Sequence, residues 1–144
     1  MNRFTDDYLL YLLAQASGQA SAAFHAELAQ IGVPVSTWRI LATLYPDAPA
    51  SIGELAQSCL TKQPTMTRQI ERLVAAGLVT RENAPQDRRR AVILLTPKGR
   101  ALAKRLTERA RAHEAQVLAG HDAAEIATIK SVLRGLMADQ TGQR

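Results

Sequence analysis

The chain has 144 residues, of which 47% are apolar, 22% charged and only 4% aromatic, with a net charge of +5. This length suits one domain with a modest core and excludes two independent ones, and apolar content supplied mainly by Ala and Leu indicates a helical protein. The single cysteine excludes an intrachain disulfide, and no apolar run approaches the roughly 20 residues of a membrane span, so we expect a cytoplasmic protein without a membrane segment.

The first predicted helix runs from about Thr5 to Gln30 and stops at Gly32, with Pro34 beyond. Its first two turns, from Tyr8 to Leu13, are apolar on every side. A helix of this kind has to be covered all round, and the core of so small a chain is too small to do so. We therefore infer a partner subunit.

A second helix is predicted over Thr37 to Tyr45, with Ser36 as its N-cap. The third is predicted over Ile52 to about Cys59. Ser51 would be its N-cap, and Glu54, three residues on, would complete a capping box.

A fourth helix follows the turn at residues 60–62, with Thr61 as its expected N-cap and Pro64 in its first turn. One side of this helix is apolar and predicted to face the core: Met66, Ile70, Leu73 and Val74. The opposite side carries mostly polar residues along with Pro64: Thr61, Thr65, Arg68 and Arg72. Short polar groups and arginines at the N-terminal half of a helix suit the DNA major groove, although an ordinary solvated face is the competing interpretation.

A basic β-hairpin follows. Gly77 is expected in a left-handed cap, and residues 78–82 and 91–96 are predicted strands around a polar tip at 83–90 with three successive arginines, Arg88, Arg89 and Arg90. Such a tip can contact phosphates or a narrow minor groove. We expect Asp87 to pair with Arg89 and hold the hairpin in one shape. Residues 62–111 contain thirteen Lys or Arg against four Asp or Glu, as expected for a nucleic-acid contact surface.

Two helices end the chain, from Pro97 to about Ala119 and, after Gly120, from an Asp122 cap onward. The last helix repeats apolar residues at three-four spacing, which favours packing against another helix: Ile126, Ile129, Leu133, Leu136 and Met137.

The segments T-M-T-R-Q-I-E-R-L-V-A-A-G-L-V-T-R and D-R-R-R-A-V-I-L-L-T-P-K-G resemble the signature of the multiple antibiotic resistance regulator (MarR) family of winged-helix proteins. The resemblance implies a mostly α fold with a β-hairpin wing: a winged helix-turn-helix DNA-binding lobe at 34–97, and a helical dimerisation lobe from 5–31 and 98–138. One departure is Cys59-Leu60-Thr61, where the family usually has Leu-Gly-hydrophobe. That departure leaves the turn geometry open and places a thiol at a core position.

The implied function is that of a homodimeric repressor that binds a pseudo-palindromic site on double-stranded DNA and is released by a small effector, with aromatic or phenolic compounds as the expected class. Base-edge contacts are expected from Gln63, Thr65, Thr67 and Arg68, with Arg72 on phosphate and Arg88, Arg89 and Arg90 in the wing. An architectural or protein-interaction winged helix without sequence-specific readout is the alternative.

The family commonly places effectors in a cleft between the dimerising helices and the DNA-binding lobe. Trp38 and Arg39 can border such a cleft, with stacking and carboxylate binding as their roles, or serve as a core Trp and a surface Arg. Tyr11 and His25 are weaker candidates. Thiol oxidation at Cys59 is an alternative trigger, although a buried thiol is usually inert. No catalytic constellation, cofactor motif or metal-ligand cluster is recognised in the sequence.

Overall fold

The structure is a computed structural model that describes residues 1–84 and 86–142, and of Arg88 the main chain only. A short 3₁₀ helix, Phe4–Asp6, precedes six α-helices and one hairpin in the described ranges. In chain order they are α1 (Leu9–Gln30), α2 (Val35–Leu44), α3 (Ile52–Ser58), α4 (Gln63–Ala75), β1 (Val79–Ala84), β2 (Asp87–Leu95), α5 (Pro97–Val117) and α6 (Ala123–Thr141). This order matches the predicted mostly α fold with a small β-hairpin.

The chain divides into two compact units, the first from Met1 to Ala110 and the second beginning at Arg111. The first unit holds the hydrophobic core, to which α1 to α5 and both strands contribute. Its innermost side chains are large and apolar: Leu28, Ile40, Leu41, Leu44, Leu55, Met66, Ile70, Ile93 and Leu106. The hairpin is thus anchored through Ile93 while the helices supply most of the core. The predicted lobes at 34–97, 5–31 and 98–138 stay a prediction.

Two helix starts differ from the sequence predictions. The first helix begins at Leu9 instead of Thr5, because residues 4–6 form the separate 3₁₀ turn. The second begins at Val35, and its N-cap is Pro34, whose carbonyl accepts the first helical bond from the Trp38 N–H (3.1 Å). Ser36 is therefore inside the helix, because Pro34 already has the extended conformation that an N-cap requires.

The hairpin is longer than predicted and contains an irregularity. Antiparallel pairing runs from Val79 opposite Leu95 to Asn83 opposite Ala91, and then shifts to Ala84 opposite Asp87. In this register residues 88–90 of β2 have no counterpart on β1. The three arginines therefore lie on a bulged section of strand rather than in the open polar tip that we expected, and a bulge aims side chains away from the regular sheet.

The second unit contains the end of α5 and all of α6. Asp122 caps α6 as predicted, its carboxylate accepting from the Ala124 N–H (2.9 Å). The Glu114 carboxylate lies 3.2 Å from Arg111 and 3.5 Å from Lys130. No residue of α6 is buried, and four of its large apolar side chains are exposed: Ile129, Val132, Leu136 and Met137.

Candidate DNA-binding surface

The helix-turn-helix begins with the predicted capping box at α3. The Ser51 hydroxyl accepts from the Glu54 N–H (3.1 Å), and the Glu54 carboxylate Oε2 accepts from the Ser51 N–H (3.1 Å). Two main-chain donors at the start of this short helix are therefore satisfied locally. The box fixes both the direction of α3 and the position of the Glu54 carboxylate.

The turn between α3 and α4 contains one strained residue. Leu60 has a φ of 52°, in the left-handed region that favours glycine, and its side chain is 93% exposed. The Thr61 N–H donates to the Ala56 carbonyl (2.9 Å) and closes the turn. The chain therefore keeps a glycine-type turn with leucine in it, at a strain of about 1–2 kcal/mol.

The prediction that Thr61 is the N-cap of α4 is wrong. Its hydroxyl donates to the Cys59 carbonyl (3.1 Å), so it belongs to the turn, and Lys62 is the N-cap without a side-chain capping bond. Pro64 lies in the first turn of α4, as predicted.

The two faces of α4 separate largely as expected. Met66, Ile70 and Leu73 are buried, whereas Val74 is 44% exposed. The prediction of Val74 as a core residue is wrong, because one residue beyond Leu73 the helix has turned by about 100°.

On the outward face of α4, the side chains of Gln63, Arg68 and Arg72 are exposed, and Thr65 and Thr67 are half-buried. The Thr67 hydroxyl donates to the Gln63 carbonyl (3.1 Å) and is held against the helix. Arg68 and Arg72 are one helical turn apart, so their guanidinium groups extend from the same side. All five predicted contact residues of α4 thus lie outside the core.

In the wing, the Asp87 carboxylate accepts from the main-chain N–H of Arg89 (3.0 Å). The predicted Asp87–Arg89 contact therefore exists, but it uses the main chain of Arg89 and leaves the guanidinium out of this bond. The side chain of Arg88, also a predicted contact, lies outside the described residues. Arg89 and Arg90 are both exposed.

Sequence reasoning missed two links between the wing and the start of α3. Ala50 and Ile93 exchange main-chain hydrogen bonds of 3.2 and 2.8 Å, which add the segment before α3 to the edge of β2. The Arg90 guanidinium forms an ion pair with the Glu54 carboxylate. The capping-box pattern identified Glu54 only as a local cap, since nothing in the sequence places residue 90 next to it.

The base of the wing packs closely on the start of α5. The Thr96 hydroxyl donates to the Gly77 carbonyl (2.6 Å) and accepts from the Gly99 N–H (3.0 Å). Gly77 itself has the predicted left-handed conformation, with a φ of 74°. A Cβ on Gly99 would overlap the Leu78 carbonyl oxygen and lie 2.9 Å from its carbon. Glycine is therefore required at this crossing.

The predicted effector residues lie on α1 and α2. Trp38 is half-buried and meets Phe24 edge to face, with ring centroids 5.2 Å apart, while Arg39 beside it is exposed. Tyr11 is exposed near the start of α1, and His25 is half-buried further along. The geometry of Trp38 fits its packing role well.

A cavity of about 200 Å³ lies elsewhere in the first unit, between the α1–α2 connection and α5. Its walls are apolar except for two arginines: Ile31, Val33, Leu102, Arg105, Leu106 and Arg109. The predicted effector residues Tyr11, His25, Trp38 and Arg39 do not line it. No sequence pattern indicates this cavity, because Arg105 and Arg109 look like any exposed helical pair at four-residue spacing.

Cys59 is buried, with 5% of its surface exposed, and its thiol lies 3.9 Å from the Thr43 hydroxyl. Burial raises the pKa of this thiol, and the bond to Thr43 and the positive charge of Arg39 oppose the rise only in part. Since the thiolate is the reactive form, this environment disfavours oxidation.

Across the described ranges, no three His, Cys, Asp or Glu side chains are grouped as metal ligands. The helices described there are also too short or too polar to cross a bilayer.

Comparison with known proteins identifies the family. A family profile described as MarR family matches residues 31–90. The crystal structure of the MarR family transcriptional regulator SPO1453 from Silicibacter pomeroyi DSS-3 superposes on this chain with a TM-score of 0.84. The two sequences are 40% identical, and the match covers 96% of this chain and 99% of the SPO1453 chain. The HTH-type transcriptional repressor Rv2887 of Mycobacterium tuberculosis is 31% identical over 134 residues, 93% of this chain and 96% of the relative. This chain belongs to the MarR family.

MarR-family proteins are DNA-binding transcription regulators and not enzymes, and some are repressors. A structure of BpsR from Bordetella bronchiseptica concerns regulation of its DNA binding by 6-hydroxynicotinic acid. BpsR is 26% identical to this chain, with a TM-score of 0.77, and the match covers 95% of this chain and 97% of the BpsR chain. The chain spans 62% and 66% of the length of two further HTH-type relatives, at 28% and 30% identity.

Proposed function

We propose that this MarR-family regulator is a homodimeric repressor that binds a pseudo-palindromic operator and is released by a small aromatic acid. The observation that carries the proposal is the exposed polar face of α4, which begins at Gln63 and includes Arg68 and Arg72. A helix of this kind fits the major groove, and two copies related by a two-fold axis would enter successive grooves about 34 Å apart.

The residues of this surface would divide between bases and phosphates. Near the N-terminus of α4, Gln63, Thr65, Thr67 and Arg68 would approach base edges, which carry the sequence information. Arg72, one turn further along, would hold a phosphate. In the wing, Arg89 and its neighbours Arg88 and Arg90 would contact the backbone or the minor groove.

The apolar residues left exposed on the terminal helices support dimerisation. Leu9 and Leu10 on α1 are 53% and 59% exposed, and Ile129 and Val132 on α6 are exposed to a similar degree. Exposed large apolar side chains that are grouped on one helix mark an interaction site, and each of these two helices carries such a group. A second copy of the chain would cover both helices in a shared lobe.

The cavity beside Arg105 and Arg109 supports an acidic effector. Two guanidinium groups can bind one carboxylate, and the apolar walls suit a ring. Its volume of about 200 Å³ is below the roughly 300–1,000 Å³ of sites for drug-sized ligands, so a single-ring acid is favoured. BpsR, whose DNA binding is regulated by such an acid, gives a precedent within the family. Trp38 and Arg39 remain the alternative site, and oxidation of Cys59 the alternative trigger.

Release would require the acid to bind the DNA-incompetent state of the dimer more tightly than the competent one. The extent of release is limited by that difference in affinity, and DNA would weaken acid binding by the same factor.

DNA recognition is tested by comparing Arg68→Ala with Arg72→Ala on a labelled fragment from upstream of the gene. Arg68→Ala is expected to lose roughly 1–3 kcal/mol of specific binding. Arg72→Ala, the matched control on the same helix, would weaken specific and random DNA alike and reduce the salt dependence. If random DNA competes as well as the fragment with the unsubstituted protein, the architectural alternative is favoured instead.

The effector site is tested by calorimetric titration with benzoate and 6-hydroxynicotinic acid. Arg105→Gln and Arg109→Gln should each weaken binding of whichever acid binds. Lys104→Gln removes the same charge from an exposed position of α5 outside the cavity lining and should leave binding unchanged. If Trp38→Leu abolishes binding while both arginine variants retain it, the Trp38 site is correct and the cavity assignment is wrong.

A further inference from the structure

The contact between the wing and α3 joins two elements that the proposed DNA surface uses separately. Arg90 belongs to the bulged section of β2, and Glu54 to the capping box of α3. The Arg90 Nη2–H donates to Glu54 Oε1, and the two side chains are about half exposed. Among the three wing arginines, Arg90 is therefore a residue whose positive charge already has an acidic partner.

The carboxylate is held in place independently of Arg90. Glu54 Oε2 accepts from the Ser51 N–H (3.1 Å), so one oxygen completes the cap while the other faces the wing. The Ala50–Ile93 main-chain bridge attaches the residue before Ser51 to β2, and Ile93 is fully buried. The pair is thus assembled on a fixed base, and little further ordering is needed to form it.

Arg89, the neighbouring residue, has different surroundings. Its main-chain N–H is bonded to Asp87, and within the residues that the structure describes its guanidinium makes no hydrogen bond or ion pair. Among the described residues of the wing, therefore, the Arg90 guanidinium is paired with a carboxylate and the Arg89 guanidinium is not.

We infer that Glu54 is a positioning residue that competes with the DNA backbone for the Arg90 guanidinium and so weakens the contact of Arg90 with DNA. This inference rests on the proposed contact between the wing and DNA. A DNA phosphate has to displace the Glu54 carboxylate before it can pair fully with the Arg90 guanidinium. Each phosphate that is paired in this way steepens the slope of log K against log salt. Glu54 thereby limits sequence-independent affinity and leaves discrimination to α4.

The test is the substitution Glu54→Gln, which keeps a side chain suited to the capping box but removes the charge. Affinity for a random-sequence duplex should rise by on the order of two- to fivefold for each wing that contacts it, since an exposed pair is weak. The slope of log K against log salt should steepen by about 0.9 for each phosphate gained. Glu82→Gln, an exposed charge on β1 outside the pair, is the matched control and should give a smaller effect with no steeper slope.

The double variant Glu54→Gln/Arg90→Gln shows whether the effect passes through Arg90. If it does, Glu54→Gln changes nothing when Arg90 is already absent. The inference is overturned if Glu54→Gln leaves affinity unchanged, if it weakens binding, or if its effect equals that of Glu82→Gln and persists without Arg90. Thermal unfolding of each variant confirms that the fold is retained.

Arg89→Ala, measured on the same duplex, separates this inference from the proposed function. If Arg89→Ala weakens binding and Glu54→Gln has no effect, only the role of Glu54 is wrong. If Arg89→Ala also has no effect, the proposed wing contact fails, and the role of Glu54 fails with it.

Discussion

Gly99→Ala is expected to destabilise the protein strongly, although it adds only one methyl group. The new Cβ would overlap the Leu78 carbonyl oxygen, which accepts a hydrogen bond from the Thr96 N–H (3.1 Å). Because the obstruction is main chain, it cannot be relieved by rotating a side chain. Either α5 moves away from the wing base or the Leu78 carbonyl turns and its bond to Thr96 weakens.

Overpacking of a close contact costs about 1–3 kcal/mol and a weakened main-chain hydrogen bond about 1 kcal/mol more, so the expected loss is about 2–4 kcal/mol. For a chain of this size, that loss lowers the melting temperature by about 6–12 °C. The assay is thermal unfolding followed by circular dichroism, at one protein concentration for all variants because a dimer melts in a concentration-dependent way.

Gly53→Ala is the matched control, since it makes the same substitution on α3. Its Cβ would meet only the Ser51 hydroxyl, at 3.9 Å. Alanine in a helix is about 0.5–1 kcal/mol more favourable than glycine, so this variant should melt at a higher temperature. The reasoning is refuted if Gly99→Ala melts within 2 °C of the unsubstituted protein (roughly 0.7 kcal/mol) or if both variants shift in the same direction.

Three further substitutions test individual features. Leu60→Gly should raise the free energy of unfolding by about 0.5–1 kcal/mol, because relief of left-handed strain exceeds the added chain entropy; a loss of stability in urea would contradict the strain at this turn. Asp122→Ala should lower the free energy of unfolding by about 1 kcal/mol, whereas Asp122→Asn, which keeps an acceptor oxygen, should lower it by much less; no loss in Asp122→Ala would show that the cap of α6 is unimportant. Cys59 should make stability fall as pH rises above its ordinary pKa of 9.0, since its folded-state pKa is raised and the unfolded thiol ionises first; urea midpoints between pH 8 and 10 should fall less steeply in Cys59→Ala, and identical profiles would argue against the burial effect.

Local signals in the sequence identified the elements of the DNA-binding surface well. The capping box of Ser51 and Glu54, the left-handed Gly77 and the Asp122 cap depend on residues within three positions of one another, and all three are present. The apolar spacing of α4 likewise predicted four core residues, of which three are buried and only Val74 is not.

The two errors in N-cap position arose where two residues competed for the same role. Pro34 and Ser36 both suit an N-cap, and Pro34 takes the position because its conformation is already extended. Thr61 and Lys62 are likewise two neighbouring candidates for the N-cap of α4. The Thr61 hydroxyl is bonded to the Cys59 carbonyl within the turn, and Lys62 is the N-cap.

Features that join distant parts of the chain were beyond the sequence. Glu54 meets Arg90 across 36 positions, and Ala50 meets Ile93 across an even longer separation. The cavity beside Arg105 and Arg109 depends on the α1–α2 connection passing over α5. None of these contacts has a periodic or short-range pattern, so only the folded chain brings them together.

Selection from a library of random duplexes tests the central claim most directly, because it requires no knowledge of the operator. Two copies of α4 in successive major grooves should enrich an inverted repeat whose half-sites are centred about one helical turn, 10–10.5 base pairs, apart. The same selection with Arg68→Ala should lose enrichment at one position of each half-site. Enrichment of a single half-site, or of no sequence at all, would contradict a dimer that recognises DNA through this surface.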